Sequence, residues 1–376
     1  MKLTEADRGA IKGRLLVWYD RQKRDMPWRS TSDPYCILLS EFMLQQTQVE
    51  TVIPYYKRFL KAYPTVNHLA AADLDDILKQ WEGLGYYSRA RNLHKAALEI
   101  SSKYSGVVPD DYAKLLALPG FGPYTSAAVS SIAHGKAHAV LDGNVIRVLA
   151  RLHGLKDKTD RPATKRRLQM WADEMLNIER PGDHNQAIME LGATICKPRQ
   201  PYCDGCPVQP CCEATRRGWV AEIPAKTRAK PRPERTYVTG IIHRDGRYLI
   251  CRRKESGLLG GLWEFPSAQQ GEPDTAPDVP RSLKKAIGIG TTTHRHFGTV
   301  KHAYTHFSAV VNAYACEWET GDPRSEEHDR YAWVGQETIE DYAYSRIARK
   351  LVVALTQQEK PGQIPLELDN PKESKL

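Results

Sequence analysis

Up to about residue 225, hydrophobic positions recur at helical spacing and are interrupted by short polar breaks. The run "DPYCILLSEFMLQQTQVETVIPYYKRFLKAY" predicts a helix with Asp33 as its N-cap and Pro34 in its first turn, where a missing N–H costs nothing. Two further helical runs, "DDYAKLLAL" and "SAAVSSIAH", are separated by "LPGFGPYT", with Pro119, Gly120, Gly122 and Pro123 between them. Residues 223–235, "IPAKTRAKPRPER", have no periodicity, and their prolines and basic residues predict an exposed linker. Beyond it, "RTYVTGIIHRDGRYLICRRK" reads as two strands joined by an Asp245-Gly246 hairpin turn. "FGTVKHAYTHFSAVVNAYACEWE" is also strand-like, "GQETIEDYAYSRIARKLVVALTQ" predicts a late helix, and residues 267–280 predict a loop. There is no internal repeat. The pattern predicts a multidomain chain, an all-α domain followed by an α+β domain.

A length of 376 residues agrees with two or three domains. The chain is 41% hydrophobic and 26% charged, as folded proteins are. "MKLTEADRGAIKGRLL" lacks the apolar core of a secretory signal, and no stretch approaches the ~18 apolar residues of a membrane span. A cytoplasmic protein with no membrane partner is expected. The net charge of +9 favours a polyanion such as nucleic acid without deciding the matter.

Cysteine changes the picture more. Five of the eight crowd into "CKPRQPYCDGCPVQPCC". Cys196, Cys203, Cys206 and Cys212 are separated by six, two and five residues, and Cys211 is an alternative to Cys212. Four thiolates from one short loop suit a [4Fe–4S] cluster; zinc also takes four cysteines, though from two paired knuckles, and only one such pair is present. A structural role is expected, since four protein ligands leave no open iron for substrate.

The six-two-five pattern resembles the iron–sulfur loop of the endonuclease III family of DNA glycosylases. Within that family "LPGFGPYT" is similar to the helix–hairpin–helix, in which Gly120, Gly122 and the following helix hold a DNA phosphate. "VLDGNVIRVLARL" places Asp142 at the head of a helix, where it reads as an N-cap; the family has its catalytic aspartate at this position. "LLSEFMLQQTQVETV" sets Glu41 among apolar residues, where a carboxylate holds its proton to higher pH, as a general acid requires. A glutamate followed by "MLQQT" resembles one branch in particular, the MutY-type adenine DNA glycosylases. "MPWR", "GLGYYSRA" and "HNQAIMELGATIC" resemble the same branch.

The resemblance implies roles residue by residue. Glu41 and Asp142 would be catalytic, supported by Tyr124 and Asn144. Trp28, Arg29, Leu44, Val49 and Gln186 would line an adenine pocket. Gln46, Thr47, Leu84 and Tyr86 would contact DNA along with the hairpin glycines, Gln46 and Tyr86 entering the base stack.

"YLICRRKESGLLGGLWEFP" resembles the opening of a Nudix fold, yet the chain after Phe265, "PSAQQGEPDTAPDVPRSLKKAIGIG", lacks the glutamates that hold the Nudix metals. Pyrophosphate hydrolysis is therefore excluded. The resemblance implies that this domain senses 8-oxoguanine through Tyr304, Thr305 and His306, with tyrosine and threonine where the family has phenylalanine and serine. It further implies an iron–sulfur domain from residues 1–29 and 138–222, a six-helix domain at 30–137, the linker at 223–235, the Nudix-like domain at 236–357 and a disordered tail at 358–376. The implied partner is duplex DNA carrying adenine opposite 8-oxoguanine or guanine, bound by a monomer that is nucleoid-associated when on DNA.

Overall fold

The structure is a computed structural model that describes residues 3–225, 231–270, 277–357 and 366–367. It divides into two compact units, Met1–Ala71 with Asn92–Ala229, and Ala72–Arg91 with Lys230–Leu376. The tail expected at 358–376 lies outside the described residues except for 366–367, as do 226–230 of the linker and 271–276 of the expected loop.

The first unit is helical. It contains α1 (Glu5–Gln22), α2 (Pro34–Leu44), α3 (Val49–Ala62) and α4 (Val66–Ala71); α5 (Leu74–Trp81) belongs to the second unit, and α6 (Ser88–Tyr104) passes from the second into the first. Then follow α7 (Tyr112–Leu116), α8 (Pro123–Ile132), α9 (Gly143–Leu152), α10 (Pro162–Met175), α11 (Pro181–Thr194) and α12 (Glu213–Arg217). Thr4 and Asp7 form a reciprocal capping box at the head of α1. Asp33 caps α2 by accepting from the Tyr35 N–H at 2.8 Å. The single long helix expected from Asp33 is broken: α2 ends at Leu44, and Gln46 has φ 57°, a left-handed conformation that no α-helix can continue through. Ile11, Leu15, Leu149, Leu168 and Leu191 anchor a core shared by α1, α9, α10 and α11.

The second unit is built on a mixed sheet. Its strands are β1 (Glu234–Arg244), β2 (Arg247–Arg253), β3 (Trp263–Glu264), β4 (Ser267–Gln269), β5 (Gly290–Ala303), β6 (Ser308–Thr320), β7 (His328–Gly335) and β8 (Leu366–Glu367). The order is β3-β2-β1-β6-β5-β8, with β4 on β1 and β7 on β2; β1 and β6 run parallel. The Asp245-Gly246 turn forms as expected, with both residues left-handed (φ 47° and 76°), which suits the twist of a two-residue hairpin. Helix α13 (Val279–Ile287) covers one face through Leu283 and Ile287, and α14 (Arg346–Gln357) covers the other through Leu351 and Val352. The late helix is shorter than its pattern suggested. A 3-10 turn at Ile339–Asp341 precedes it, and α14 begins only at Arg346, where the Ser345 hydroxyl accepts from the Ala348 N–H. No helix among the described residues is long and apolar enough to cross a membrane.

Candidate active site

Helix α2 is buried on nearly all sides, from Ile37 through Met43. Glu41 is the one ionisable group within that stretch and is only 5% exposed. Burial pushes its carboxyl up to about 7, and the neighbouring Asp142 adds to the rise; a hydrogen bond from Tyr124 and the charge of Arg29 oppose it. The Tyr124 hydroxyl donates to Glu41 Oε2 at 2.8 Å and lies 3.3 Å from Met189 Sδ. Burial also keeps the Tyr124 phenol protonated far into the alkaline range, so it remains a donor.

Asp142 is set differently. It is the N-cap of α9, as its spacing predicted, and accepts from the Val145 N–H at 2.7 Å and from Asn144 Nδ2 at 3.0 Å. Burial has the larger effect and leaves its carboxyl above the usual range, while these donors and the charge of Arg147 pull the other way. Because N–H groups point at both of its oxygens, the ionised form is the one its surroundings solvate. Asn144 is itself held by Arg147 Nη2 at 2.7 Å; Arg147 also donates to the carbonyls of Cys196 and Gly192.

The two carboxylates open onto one cavity of about 180 Å³. Trp28, Arg29, Leu44, Thr47, Val49, Tyr124, Asn144 and Gln186 line it as well, so the expected pocket residues come together. Trp28 is buried edge-on against Tyr56. The cavity contains a group that the motifs did not single out. Glu190 is fully buried and receives Arg29 Nη2 at 2.9 Å and Arg24 Nε at 2.7 Å. Burial raises its carboxyl, but the two guanidinium groups outweigh that and hold it below the usual range. Its position four residues after Gln186, hence on the same face of α11, was the available signal.

The hairpin glycines differ. Gly120 has φ 78°, and a Cβ there would lie 2.5 Å from Asn92 Cβ and 3.0 Å from the Phe42 ring, so only glycine fits. Gly122 is extended (φ −111°), and a Cβ there would meet nothing; it caps α8 with no side-chain hydrogen bond, leaving a bare helix start facing open space. Phe121 packs edge-on against Phe42, which ties the hairpin to the helix that carries Glu41.

Gln46 and Tyr86 are both at positive φ, 57° and 47°, and both are exposed. Such strain costs about 1–3 kcal/mol in a non-glycine residue and persists only where the surroundings impose it. Leu84, by contrast, is buried. In the second unit, Tyr304, Thr305 and His306 occupy the turn between β5 and β6, closed by the Tyr304 N–H on the Phe307 carbonyl at 2.8 Å. Tyr304 packs inward on Phe307, while Thr305 and His306 are exposed at the tip.

The cysteine loop joins α11 to α12. Cys206 is pushed up to about 12, mainly by burial, and feels Cys196, Cys212 and Cys203; Cys211 instead faces Arg14 and Asp7. Arg151 Nη1 stands 3.2 Å from Cys196 Sγ, a cation suited to a thiolate. Among the described residues no three His, Cys, Asp or Glu side chains are gathered tightly enough to hold a metal ion. The donor chemistry therefore fits a thiolate-bound metal group, while the sulfurs stand as neighbours rather than as an assembled ligand set.

Comparison with known proteins follows the same division. Residues 39–173 match the HhH-GPD superfamily of base excision DNA repair proteins, and residues 237–354 match the NUDIX domain. The adenine DNA glycosylase of Homo sapiens is 35% identical, over 94% of this chain and 75% of the human protein. That of Rattus norvegicus is 34% identical, over 92% and 78%. Among solved structures, a thermostable thymine-DNA glycosylase superposes with a TM-score of 0.53 at 30% identity, covering 57% of this chain and all of the other. An endonuclease III–DNA complex shares the fold of the helical part, at a TM-score of 0.50 and 23% identity over 58% of this chain and 99% of that one. The chain belongs to the adenine DNA glycosylase family and is a DNA glycosylase that removes adenine.

Proposed function

We propose that the enzyme removes adenine opposite 8-oxoguanine or guanine in duplex DNA by hydrolysing the N-glycosidic bond, with Glu41 as acid and base and Asp142 as the stabiliser of the developing cation. The observation that carries this reading is the buried Glu41, with a carboxyl pushed up to about 7 and sharing a cavity with a hydrogen-bonded Asp142.

A base inside a duplex is inaccessible at its glycosidic bond, so the nucleotide is flipped into the cavity. Trp28, Leu44 and Val49 offer the adenine apolar walls, and Gln186 and Arg29 offer hydrogen-bonding edges. Glu190 holds Arg29 in place. Protonated Glu41 delivers its proton to adenine N7, turning a poor anionic leaving group into a neutral one. As the C1′–N9 bond breaks, positive charge develops on the sugar, and the Asp142 carboxylate stabilises or briefly traps it. Glu41, now ionised, takes a proton from the attacking water. This is the division of labour of a retaining glycosidase. Tyr124 keeps one Glu41 oxygen occupied as an acceptor, so the proton resides on the other.

Gly122 and the uncapped start of α8 bind a backbone phosphate. Gln46 and Tyr86 enter the base stack, with Thr47 beside the pocket. In lyase-competent relatives a lysine stands where Tyr124 stands, and a phenol forms no Schiff base, so the enzyme leaves the backbone intact. Cys196, Cys203, Cys206 and Cys212 would hold a [4Fe–4S] cluster, which would supply rigidity to the loop. Thr305 and His306 read 8-oxoguanine from the β5–β6 turn. The protein acts as a monomer in the cytoplasm, at the nucleoid when bound to DNA.

The test is a duplex with adenine opposite 8-oxoguanine. Free adenine should appear, with strand scission only after alkali and no borohydride-trapped adduct; scission without alkali contradicts the reading. Thr305→Ala should lower the preference for 8-oxoguanine over guanine by about fivefold, the worth of one hydrogen bond, and an unchanged ratio removes Thr305 from recognition.

A further inference from the structure

The turn that carries Tyr86 is not built by its own helices alone. Gly83, Gly85 and Tyr86 are all left-handed, at φ 93°, 76° and 47°. Arg89 gathers the carbonyls of this turn, donating to Leu84 and Gly85 at 3.2 and 3.0 Å, and Trp81 Nε1 donates to the Gly85 carbonyl at 3.1 Å. The remaining supports come from the C-terminal part of the chain, which packs with residues 72–91 as one unit. The Arg349 guanidinium forms two bonds to the Glu82 carboxylate, at 2.5 and 2.7 Å, and another to the Tyr342 carbonyl at 3.0 Å. Lys79 reaches the same Tyr342 carbonyl at 3.1 Å and Glu82 at 3.2 Å. The Tyr87 hydroxyl donates to the Tyr344 carbonyl and accepts from the Gly83 N–H, at 3.1 and 3.2 Å. Arg91 donates to the Gly260 carbonyl at 2.6 Å, and Asp75 pairs with Arg252 at 3.0 Å.

These contacts bracket the strained residue. Glu82 lies four positions before Tyr86 and Tyr87 one after it, and each is fixed by the segment from Tyr342 to Arg349. A side chain at positive φ relaxes unless its neighbours over-determine it, and a wedge is effective only when its position is set before DNA arrives. We propose that the C-terminal α/β body is a positioning element for adenine extrusion, with Arg349, acting through Glu82, as the residue that holds the Tyr86 turn in shape. The proposal rests on the reading of Tyr86 as a residue that enters the base stack. It gives the C-terminal body a task that does not depend on the identity of the opposite base.

The experiment uses the full chain and duplexes in which 2-aminopurine replaces the target adenine, so that fluorescence reports extrusion, beside single-turnover adenine release from ordinary duplexes. Arg349→Met should lower both by about tenfold, equally opposite guanine and 8-oxoguanine, with circular dichroism and the melting temperature marking a folded protein. Glu82→Gln approaches the same pair from the turn and should behave alike, and the charge-reversed pair Glu82→Arg with Arg349→Glu should recover at least half of the extrusion signal. Wild-type extrusion in Arg349→Met and Glu82→Gln overturns the proposal, as does a defect confined to 8-oxoguanine or one the reversed pair does not restore. Tyr86→Ala separates the two layers. If it loses extrusion while Arg349→Met does not, only the positioning role falls; if Tyr86→Ala is itself silent, the reading of Tyr86 falls and takes the proposal with it.

Discussion

The middle of α2 and the head of α9 place a carboxylate in the same cavity by opposite means. Glu41 sits in a helix whose neighbouring side chains are apolar and buried, with one phenol as its hydrogen-bond donor. Asp142 sits where a helix begins and unpaired backbone N–H groups are available, and its donors come from the chain's own next three residues. Glu41 is buried and Asp142 partly so, and desolvation raises the carboxyl of each, so burial alone does not distinguish an acid from an anion. The local donor count does: a helix interior offers none from its backbone, and a helix N-terminus offers several.

The largest break in this comparison is Glu41→Gln. It removes the proton donor while keeping the shape, and should cut adenine release by about 10²–10⁴-fold without weakening DNA binding; appreciable release by this variant contradicts the acid role. Asp142→Asn is the complementary change. Asparagine caps helices as well as aspartate does, so melting should barely move while adenine release falls about 10²–10³-fold for want of the stabilising charge. An intact rate would show that Asp142 serves only as a cap.

A stability measurement sharpens the comparison further. Glu41 has a carboxyl raised from 4.5 to about 7, so the folded state binds a proton that the unfolded chain has released over that interval. Stability contributed by the protonated form is full below about pH 4.5 and is lost as the pH rises through 7. Glu41→Gln does not titrate, and its stability relative to the wild type should grow across that window to about 3 kcal/mol at pH 8. Parallel denaturation curves for the two proteins at about pH 4.5 and pH 8 would contradict the burial argument. The smallest effect is that of Tyr124→Phe. Its hydroxyl favours the charged form of Glu41, so removing it should move the alkaline limb of activity upward by about one pH unit.

Much of the site was legible because its residues lie in short local patterns. The Asp142 cap, the Asp33 cap and the hairpin each need only a few consecutive positions, and each appears where the spacing placed it. What escaped depends on contacts between distant segments. Glu190 gains its meaning from Arg24 and Arg29, more than 160 positions away. Leu84 is in the interior while Tyr86, two residues on, is exposed, a difference set by the left-handed turn and by no hydrophobic period. The break after Leu44 is similar: "QQTQ" is compatible with a helix, and the left-handed Gln46 that ends it has no signature in composition. Residues 72–91 read as one more helical stretch, yet their ion pairs with Arg252 and Arg349 group them with the sheet.

The pH dependence of kcat/KM for adenine release, which reports the groups of the free enzyme, tests the central claim most directly. With Glu41 as the acid, the profile should be a bell whose alkaline limb falls through about pH 7 as Glu41 loses its proton and which is absent in Glu41→Gln, whose residual activity should be flat there. An alkaline limb at the same pH in both proteins, or constant wild-type activity from about pH 6 to 9, would contradict Glu41 as the general acid.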